Sequence, residues 1–196
     1  MQSIYFVDSN FTYESSKKSI LSIRYATDGF SFCVHDETEK LVVFVHEPYA
    51  ADSREAAVDR LKNYVVNDAI LNLRFKKVYI MPCFKEKLLV PGAFFDKANI
   101  ATLYTVNQEV APDDTILYHH IEGIEAYLVE TVISSFHDFV REHFSVVQIV
   151  NGAYPFILGA MAKALRDTEQ IFLEIQDNYL SGTPAFSYLT RLVTKR

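Results

Sequence analysis

The chain has no tryptophan, and it contains only two cysteines, six glycines and six prolines among its 196 residues. So little glycine and proline excludes a collagen-like or low-complexity chain. Cys33 and Cys83 allow a single disulfide, and buried thiols are the commoner state in a chain without a secretion signal. No apolar run approaches the ~20 residues that span a bilayer, and residues 1–10 lack the basic start of a signal peptide. These absences predict a cytoplasmic protein without a membrane partner.

Aromatic residues are abundant instead, with fifteen phenylalanines and twelve tyrosines. An apolar fraction of 49% with 22% charged residues is ordinary for a folded domain. The formal net charge of −6 argues against nucleic acid as a partner, because binding it takes an excess of lysine and arginine facing phosphate. Residues 107–142 are acidic and residues 74–97 are basic. Opposed charged faces would favour a protein partner or self-association, although a merely solvated surface is the more usual explanation.

Three extended runs occupy residues 19–47. The first two flank Asp28-Gly29, which is typical of a type I′ hairpin turn, so the pattern predicts an antiparallel three-strand meander. Because both central residues of such a turn take a positive φ, Asp28→Ala is expected to cost on the order of 1 kcal/mol of stability. Ser53 is the predicted N-cap of a helix that runs to about Leu71.

Short strands and helices alternate after that helix. A strand that follows a helix in this way implies a crossover and partly parallel pairing, and so a mixed α/β sheet. The predicted strands cover residues 78–81, 88–90, 115–121, 126–129, 146–150 and 171–175, and the predicted helices cover residues 93–103, 131–144 and 153–165.

The order of three antiparallel strands, a helix and a strand resembles the opening of ribonuclease-H-like and actin-like folds. More specifically, the chain resembles the uncharacterised bacterial domain-of-unknown-function family thirty-eight twenty-two, whose members are similar to actin-like ATPases in fold. The resemblance covers about residues 18–180. It is carried by Leu21-Ser-Ile-Arg24, Thr27-Asp-Gly-Phe-Ser-Phe32, Phe75-Lys-Lys-Val-Tyr-Ile80, Leu88-Leu-Val-Pro91 with Phe94-Phe-Asp96, and Ile171-Phe-Leu-Glu-Ile-Gln-Asp177.

Residues 1–18, which end in the polar run Glu14-Ser-Ser-Lys-Lys18, are predicted to form a loosely held leader. The resemblance implies an actin-like first lobe over residues 19–167 and the beginning of a second, similar lobe over residues 168–196. The last segment bears little likeness to the expected continuation of a second lobe. We therefore expect that residues of the full protein are absent, the alternatives being that strand 171–175 joins the first sheet or pairs across a dimer.

Actin-like ATPases bind the phosphates of a nucleotide with a hairpin in which an acidic residue stands two positions before a glycine. The carboxylate handles a metal-bound water and the turn amides hold phosphate oxygens. Here Thr27 stands at that position, and Asp28 directly precedes Gly29. The ligand-binding candidates of this degraded hairpin are Thr27, Asp28, Gly29 and Ser31, although a structural turn is the favoured interpretation. The second expected hairpin, Asp177-Asn178-Tyr179, also lacks the glycine.

Other catalytic patterns are incomplete. His119 and His120 are adjacent in a predicted strand and point to opposite faces, and His137 and His143 do not share a helix face. No zinc spacing occurs, and the Ser-His-Asp letters near residue 135 lie too close together for a triad. Cys33 and Cys83 would need a histidine nearby in space to act as nucleophiles. We expect no metal site and no catalytic residue.

Three functions remain open. The first is a non-catalytic protein of actin-like fold that acts through protein contacts and binds no cofactor. The second is an ATPase of the same fold that binds ATP and magnesium with non-standard phosphate loops. The third is a metal-dependent hydrolase on a ribonuclease-H-like lobe, which needs convergent carboxylates and for which Asp36, Glu47 and Glu174 are the strand candidates.

Overall fold

A computed structural model describes residues 2–84 and 86–164 of the chain. Its elements in chain order are β1 (Ile4–Val7), α1 (Tyr13–Ser16), β2 (Ile20–Ala26), β3 (Gly29–His35), β4 (Leu41–Pro48), α2 (Arg54–Asn67), β5 (Lys77–Pro82), β6 (Lys87–Pro91), α3 (Ile100–Asn107), β7 (Asp114–Ile121), β8 (Ala126–Ile133), α4 (Ser134–His143), β9 (Val147–Ile149) and α5 (Ala153–Ala164). The predicted strand 171–175 and the predicted second lobe lie outside the described residues.

The strands form two sheets. Sheet A has the order β1-β4-β3-β2-β5-β9, and sheet B has the order β6-β8-β7. Strands β2, β3 and β4 form the predicted antiparallel meander, and β5 runs parallel to both β2 and β9. The mixed α/β class and the crossover through α2 are therefore confirmed. In sheet B the basic and acidic segments are neighbours rather than opposed faces, because β6 pairs with β8 and brings Lys87 opposite Glu130.

Helices α2 and α4 cover one face of sheet A. Residues of β2 and β3 alternate between buried and half-buried positions, as expected for strands with one face on a core. Each large side chain that is fully buried there contributes roughly 1.5–3 kcal/mol. The core includes Leu21, Ile23, Phe32 and Val34 from the strands, Val58, Leu61 and Val65 from α2, and Phe136 and Val140 from α4.

Helix α2 begins where it was predicted to begin, since the Ser53 Oγ accepts a hydrogen bond from the Ala56 N–H at 3.1 Å. It ends at Asn67, earlier than the predicted end at Leu71. The reason is a local turn in which the Asp68 carboxylate accepts the amide N–H groups of Ile70 and Leu71 at 2.8 and 2.9 Å. Such side-chain bonds compete with continuation of the helix.

Two other helices begin later than predicted. Residues 131–133 extend β8 rather than open a helix, because the register with β7 continues as far as Ile133 opposite Asp114. The helix predicted over residues 93–103 is a short 3-10 turn at Gly92–Phe94 followed by α3. Between the two, the Asp96 carboxylate accepts the Ala98 N–H at 2.9 Å and makes a turn.

The segment predicted as a loosely held leader, residues 1–18, contains a strand. Ile4–Val7 forms β1, an edge strand of sheet A that pairs antiparallel with β4. The Ser16 Oγ donates a hydrogen bond to the Arg74 carbonyl at 2.9 Å, so α1 is anchored to the segment that precedes β5. Within residues 2–84 and 86–164, no helix has the length and apolar character needed to cross a membrane.

Candidate functional site

The predicted phosphate hairpin joins β2 to β3. Ala26 pairs with Gly29, so Thr27 and Asp28 are the two loop residues. Gly29 has a φ of +147°, whereas neither Thr27 nor Asp28 has a positive φ. The prediction of a type I′ turn over Asp28 and Gly29 is therefore wrong, since the turn begins one residue earlier and the glycine is already paired as the first residue of β3.

Gly29 is needed for close approach of the neighbouring chain. A Cβ at this position would lie 2.6 Å from the Glu47 carbonyl oxygen and 3.0 Å from the Pro48 Cα. The loop is fixed on the same side, because the Tyr49 N–H donates to the Asp28 carbonyl at 3.1 Å and the Ala51 N–H donates to the Thr27 carbonyl at 2.8 Å. These contacts give the hairpin a structural role in holding the segment that follows β4.

The polar side chains of the hairpin also contact protein groups. Asp28 lies 3.8 Å from the Arg24 guanidinium, and the Ser31 Oγ lies 2.8 Å from the His46 Nδ1. In the structure Thr27 and Asp28 form the turn, Gly29 is the first residue of β3, and Ser31 is the third residue of that strand. The positive-φ argument for Asp28→Ala does not hold, and the loss of the Arg24 contact, a partly exposed ion pair, predicts a smaller effect of about 0.2–1 kcal/mol.

A set of polar side chains lies between sheet B and the carboxyl ends of strands β2 and β5 of sheet A. We call this set the buried polar cluster, and it consists of Arg54, Asp114, Glu130, Thr131 and Asn151. Glu130, Thr131 and Asn151 are buried, and the Asp114 side chain is 2% exposed. Buried polar groups of this kind require partners.

Arg54, in the first turn of α2, joins sheet A to sheet B. Its Nη2 donates to the Asp114 Oδ1 at 2.8 Å, and its Nη1 donates to the Thr131 Oγ1 at 3.0 Å. The guanidinium carbon also lies 5.7 Å from the centroid of the Phe84 ring. The planar guanidinium therefore hydrogen-bonds side chains on two strands of sheet B at once. A lysine ammonium lacks the fixed fork of donors that directs two such bonds.

Glu130 and Asn151 form the other half of the cluster. The Asn151 Nδ2 donates to the Glu130 Oε2 at 2.7 Å, and the Asn151 Oδ1 accepts the Ala153 N–H at 2.8 Å. Asn151 thereby connects β8 to the start of α5. The Glu130 Oε1 has no hydrogen-bond partner within the described part of the chain.

Burial raises the pKa of Glu130 to about 8, against the lowering effects of Lys87, the Asn151 hydrogen bond and Arg54. The carboxyl group is therefore mostly protonated at neutral pH. Tyr25, which is fully buried, has its pKa raised well above the ordinary value, first by burial and then by the nearby Glu130 charge.

The backbone beneath the cluster is closely joined. The Cys83 N–H donates to the Tyr25 carbonyl at 2.9 Å, and the Gly152 N–H donates to the Pro82 carbonyl at 3.0 Å. A Cβ at Gly152 would lie 2.7 Å from the Pro82 carbonyl oxygen. The glycine therefore lets the residue pair Asn151-Gly152 pack against the end of β5, which fixes Asn151 beside Glu130.

His35 lies near a cysteine, with its Nδ1 4.0 Å from the Cys33 Sγ. Burial raises the pKa of the Cys33 thiol, which disfavours the thiolate that a nucleophile needs.

His119 packs against the Tyr154 ring and His120 stacks on the Tyr127 ring, on the opposite faces of β7 that the sequence predicted. Within the residues the structure describes, no three His, Cys, Asp or Glu groups are close enough to hold a metal ion. No disulfide joins Cys33 to Cys83 in this part of the chain.

The acidic candidates for hydrolase chemistry do not converge either. The Asp36 carboxylate accepts the amide N–H groups of Thr38 and Lys40 in a turn, and Glu47 accepts the Ser3 hydroxyl at 2.7 Å. Glu174 lies outside the described residues. The sequence analysis missed the buried polar cluster, although one signal was available: Glu130 interrupts an otherwise apolar run in β8, and a charge within a buried strand marks an unusual site.

The fold is similar to a crystal structure from Bacteroides thetaiotaomicron, of a protein with actin-like ATPase fold and unknown function. The TM-score is 0.70 at 22% sequence identity, over 79% of this chain and 60% of that chain. The chain therefore has an actin-like ATPase fold and spans 60% of the length of that structure.

The family model described as Protein of unknown function (DUF3822) matches residues 8–182, and the chain belongs to this family. The resemblance drawn from the sequence is thus confirmed. No curated protein matches the chain.

Proposed function

We propose that this protein is a non-catalytic member of the actin-like ATPase fold and that it acts through protein contacts at the free edge of sheet A. The observation that carries the proposal is the exposed apolar strand β1. Ile4, Tyr5 and Phe6 are 51%, 65% and 45% exposed, and no charged residue occurs before Asp8. An exposed apolar edge strand is a ready template for pairing with another chain.

The backbone of β1 supports the same surface. Among the described strands, β1 pairs with β4 alone. The Asp8 N–H donates to the Val42 carbonyl at 2.8 Å, and alternate residues of a strand direct their N–H and C=O groups to the same side. The groups of Ser3, Tyr5 and Val7 therefore point to the free edge. Natural edge strands that avoid pairing carry lysine, proline or a bulge, and β1 has no lysine or proline.

The hairpin contacts support the non-catalytic half of the proposal. Thr27 replaces the expected carboxylate, Asp28 lies beside the Arg24 guanidinium, and the Ser31 hydroxyl contacts His46. A phosphate would have to compete with the Arg24 and His46 contacts for the side chains of Asp28 and Ser31.

A nucleotide-binding ATPase is the second candidate function. The observation that favours it is the position of the buried polar cluster at the carboxyl ends of parallel strands β2 and β5, because open α/β sheets bind ligands in that region. The degraded phosphate hairpin, in which Thr27 stands where an acidic residue is expected, is the reason that this candidate ranks second.

Calorimetric titration of the full chain with ATP and magnesium, together with a phosphate-release assay, tests the proposal. We expect neither micromolar binding nor turnover. Turnover that is lost in Asp28→Asn but retained in the matched surface variant Asp59→Asn would overturn the non-catalytic function and establish the hairpin as a phosphate site.

A further inference from the structure

We infer that the partner of the free β1 edge is a second copy of this chain, and that two β1 strands pair antiparallel about a two-fold axis centred on Tyr5. This inference rests on the proposed function and names its partner. Pairing in this way joins two copies of sheet A into one continuous sheet and satisfies the edge of both copies at once.

The direction of the backbone groups determines which residues pair. A two-fold axis perpendicular to a sheet keeps each face of the sheet on the same side, so a residue pairs only with a partner residue of the same face. The outward N–H and C=O groups of Ser3, Tyr5 and Val7 all find partners in one register. In that register Tyr5 lies opposite the partner's Tyr5, and Ser3 lies opposite the partner's Val7. In that register the N–H and C=O groups of the two central tyrosines bond reciprocally.

The side chains fit the same register. Ile4 lies opposite the partner's Phe6, and both residues lie on the face of sheet A that carries His46 and Phe44, their cross-strand neighbours on β4. Apolar and aromatic cross-strand pairs stabilise a sheet. A register centred on Phe6 would instead place Ile4 opposite the partner's Asp8, whose carboxylate is already paired with Lys40 at 2.8 Å.

Charge argues for a second copy rather than for a different strand partner. The chain carries a net charge of −6, so two approaching copies repel each other on average. Residues 2–7 contain no charge, and the neighbouring Asp8 is neutralised by Lys40. Two copies therefore pair at β1 without placing like charges opposite each other. A partner that binds through charge complementarity would find no charged side chain on this strand.

Cysteine cross-linking tests the register directly. Opposed residues of a hydrogen-bonded antiparallel pair have Cα atoms about 5.5 Å apart, within the range of roughly 4.4–6.8 Å that a disulfide bridges. Tyr5→Cys therefore brings two thiols together on the two-fold axis. Ile4→Cys is the matched control, because its two copies are offset along the strands beyond about 7 Å. Both variants are made with Cys33→Ala, which removes the half-buried native thiol.

Under mild oxidation we expect a covalent dimer from Tyr5→Cys and not from Ile4→Cys. Sedimentation of the wild-type chain over a range of concentrations should show a monomer–dimer equilibrium. Tyr5→Pro should raise its dissociation constant roughly tenfold or more, since it removes the two central hydrogen bonds. Tyr5 does not donate to β4, and proline is tolerated where the N–H faces outward on an edge strand. Val106→Glu, at an apolar residue of α3 that is 79% exposed, should leave the equilibrium unchanged.

Equal cross-linking of Tyr5→Cys and Ile4→Cys would overturn the inferred register, and a wild type that stays monomeric at the highest concentration would overturn the second copy as partner. The comparison of cross-linking between Tyr5→Cys and Ile4→Cys does not depend on Tyr5→Pro, so it tests the register even if the proline variant is less stable. A monomer without ATP turnover refutes the dimer and leaves the proposed function, whereas a dimer with ATP turnover refutes the non-catalytic function and leaves the interface.

Discussion

Replacement of Glu130 by glutamine removes a carboxyl group that the fold keeps protonated. Glu130 lies on β8 with 3% of its surface exposed, and its Oε2 accepts the Asn151 amide at 2.7 Å. Glutamine has nearly the same shape and retains an oxygen that accepts this bond, but it cannot ionise. Glu130→Gln therefore isolates the effect of the charge from the effect of packing.

The magnitude and sign follow from the pKa. Burial raises the pKa of Glu130 from its ordinary value of 4.5 to about 8. Between these pH values the unfolded chain has released its proton while the folded chain retains it, so the free energy of unfolding falls as pH rises. The slope is ~1.4 kcal/mol per pH unit. The contribution is complete below pH 4.5 and is lost as pH rises through about 8, a total on the order of 5 kcal/mol.

Urea unfolding of the wild type and of Glu130→Gln at pH 5, 6, 7 and 8 measures this contribution. Other groups also titrate, such as His119, whose pKa is lowered by burial, and their effects cancel in the difference between the two proteins. We expect the glutamine variant to gain stability relative to wild type by ~1.4 kcal/mol per pH unit, or roughly 4 kcal/mol from pH 5 to pH 8.

The matched control is Glu142→Gln on the exposed side of α4, for which the difference from wild type should not change by more than a few tenths of a kcal/mol. If the difference for Glu130→Gln were the same at every pH, Glu130 would be ionised in the folded protein. The argument from burial would then be refuted.

Three further substitutions test the buried polar cluster, the hairpin and the start of α2 through urea unfolding at pH 7. Arg54→Met should cost about 3–5 kcal/mol, because it leaves the buried Asp114 carboxylate without its ion pair; a loss below 1 kcal/mol would show that the pair is dispensable. Gly29→Ala should cost roughly 1–3 kcal/mol, since its Cβ would meet the Glu47 carbonyl at a positive φ; wild-type stability would contradict this. Ser53→Ala should cost ~1 kcal/mol through loss of the α2 N-cap, with Ser53→Asp restoring it.

Much of the fold could be predicted from the sequence because its signals are local. The alternation of residues in β2 and β3 lies within a few positions, and Ser53 determines the start of α2 through a bond to an amide three residues away. The order of strand and helix implied a crossover with partly parallel pairing, and in the structure β5 pairs parallel with β2. The boundaries were less accurate, since short side-chain bonds such as those of Asp68 decide where a helix ends.

The sequence by itself determined the aromatic core, the order of the elements from β2 onward and the family to which the chain belongs. Only the tertiary structure decided that Ile4–Val7 is an edge strand of sheet A and that Glu130 shares a buried cluster with Asn151 and Arg54. Asn151 follows Glu130 by 21 positions, and the Arg54–Asp114 pair spans 60. A propensity or periodicity acts over one turn or one strand, whereas the cost of burying a carboxyl group depends on which distant elements exclude water from it.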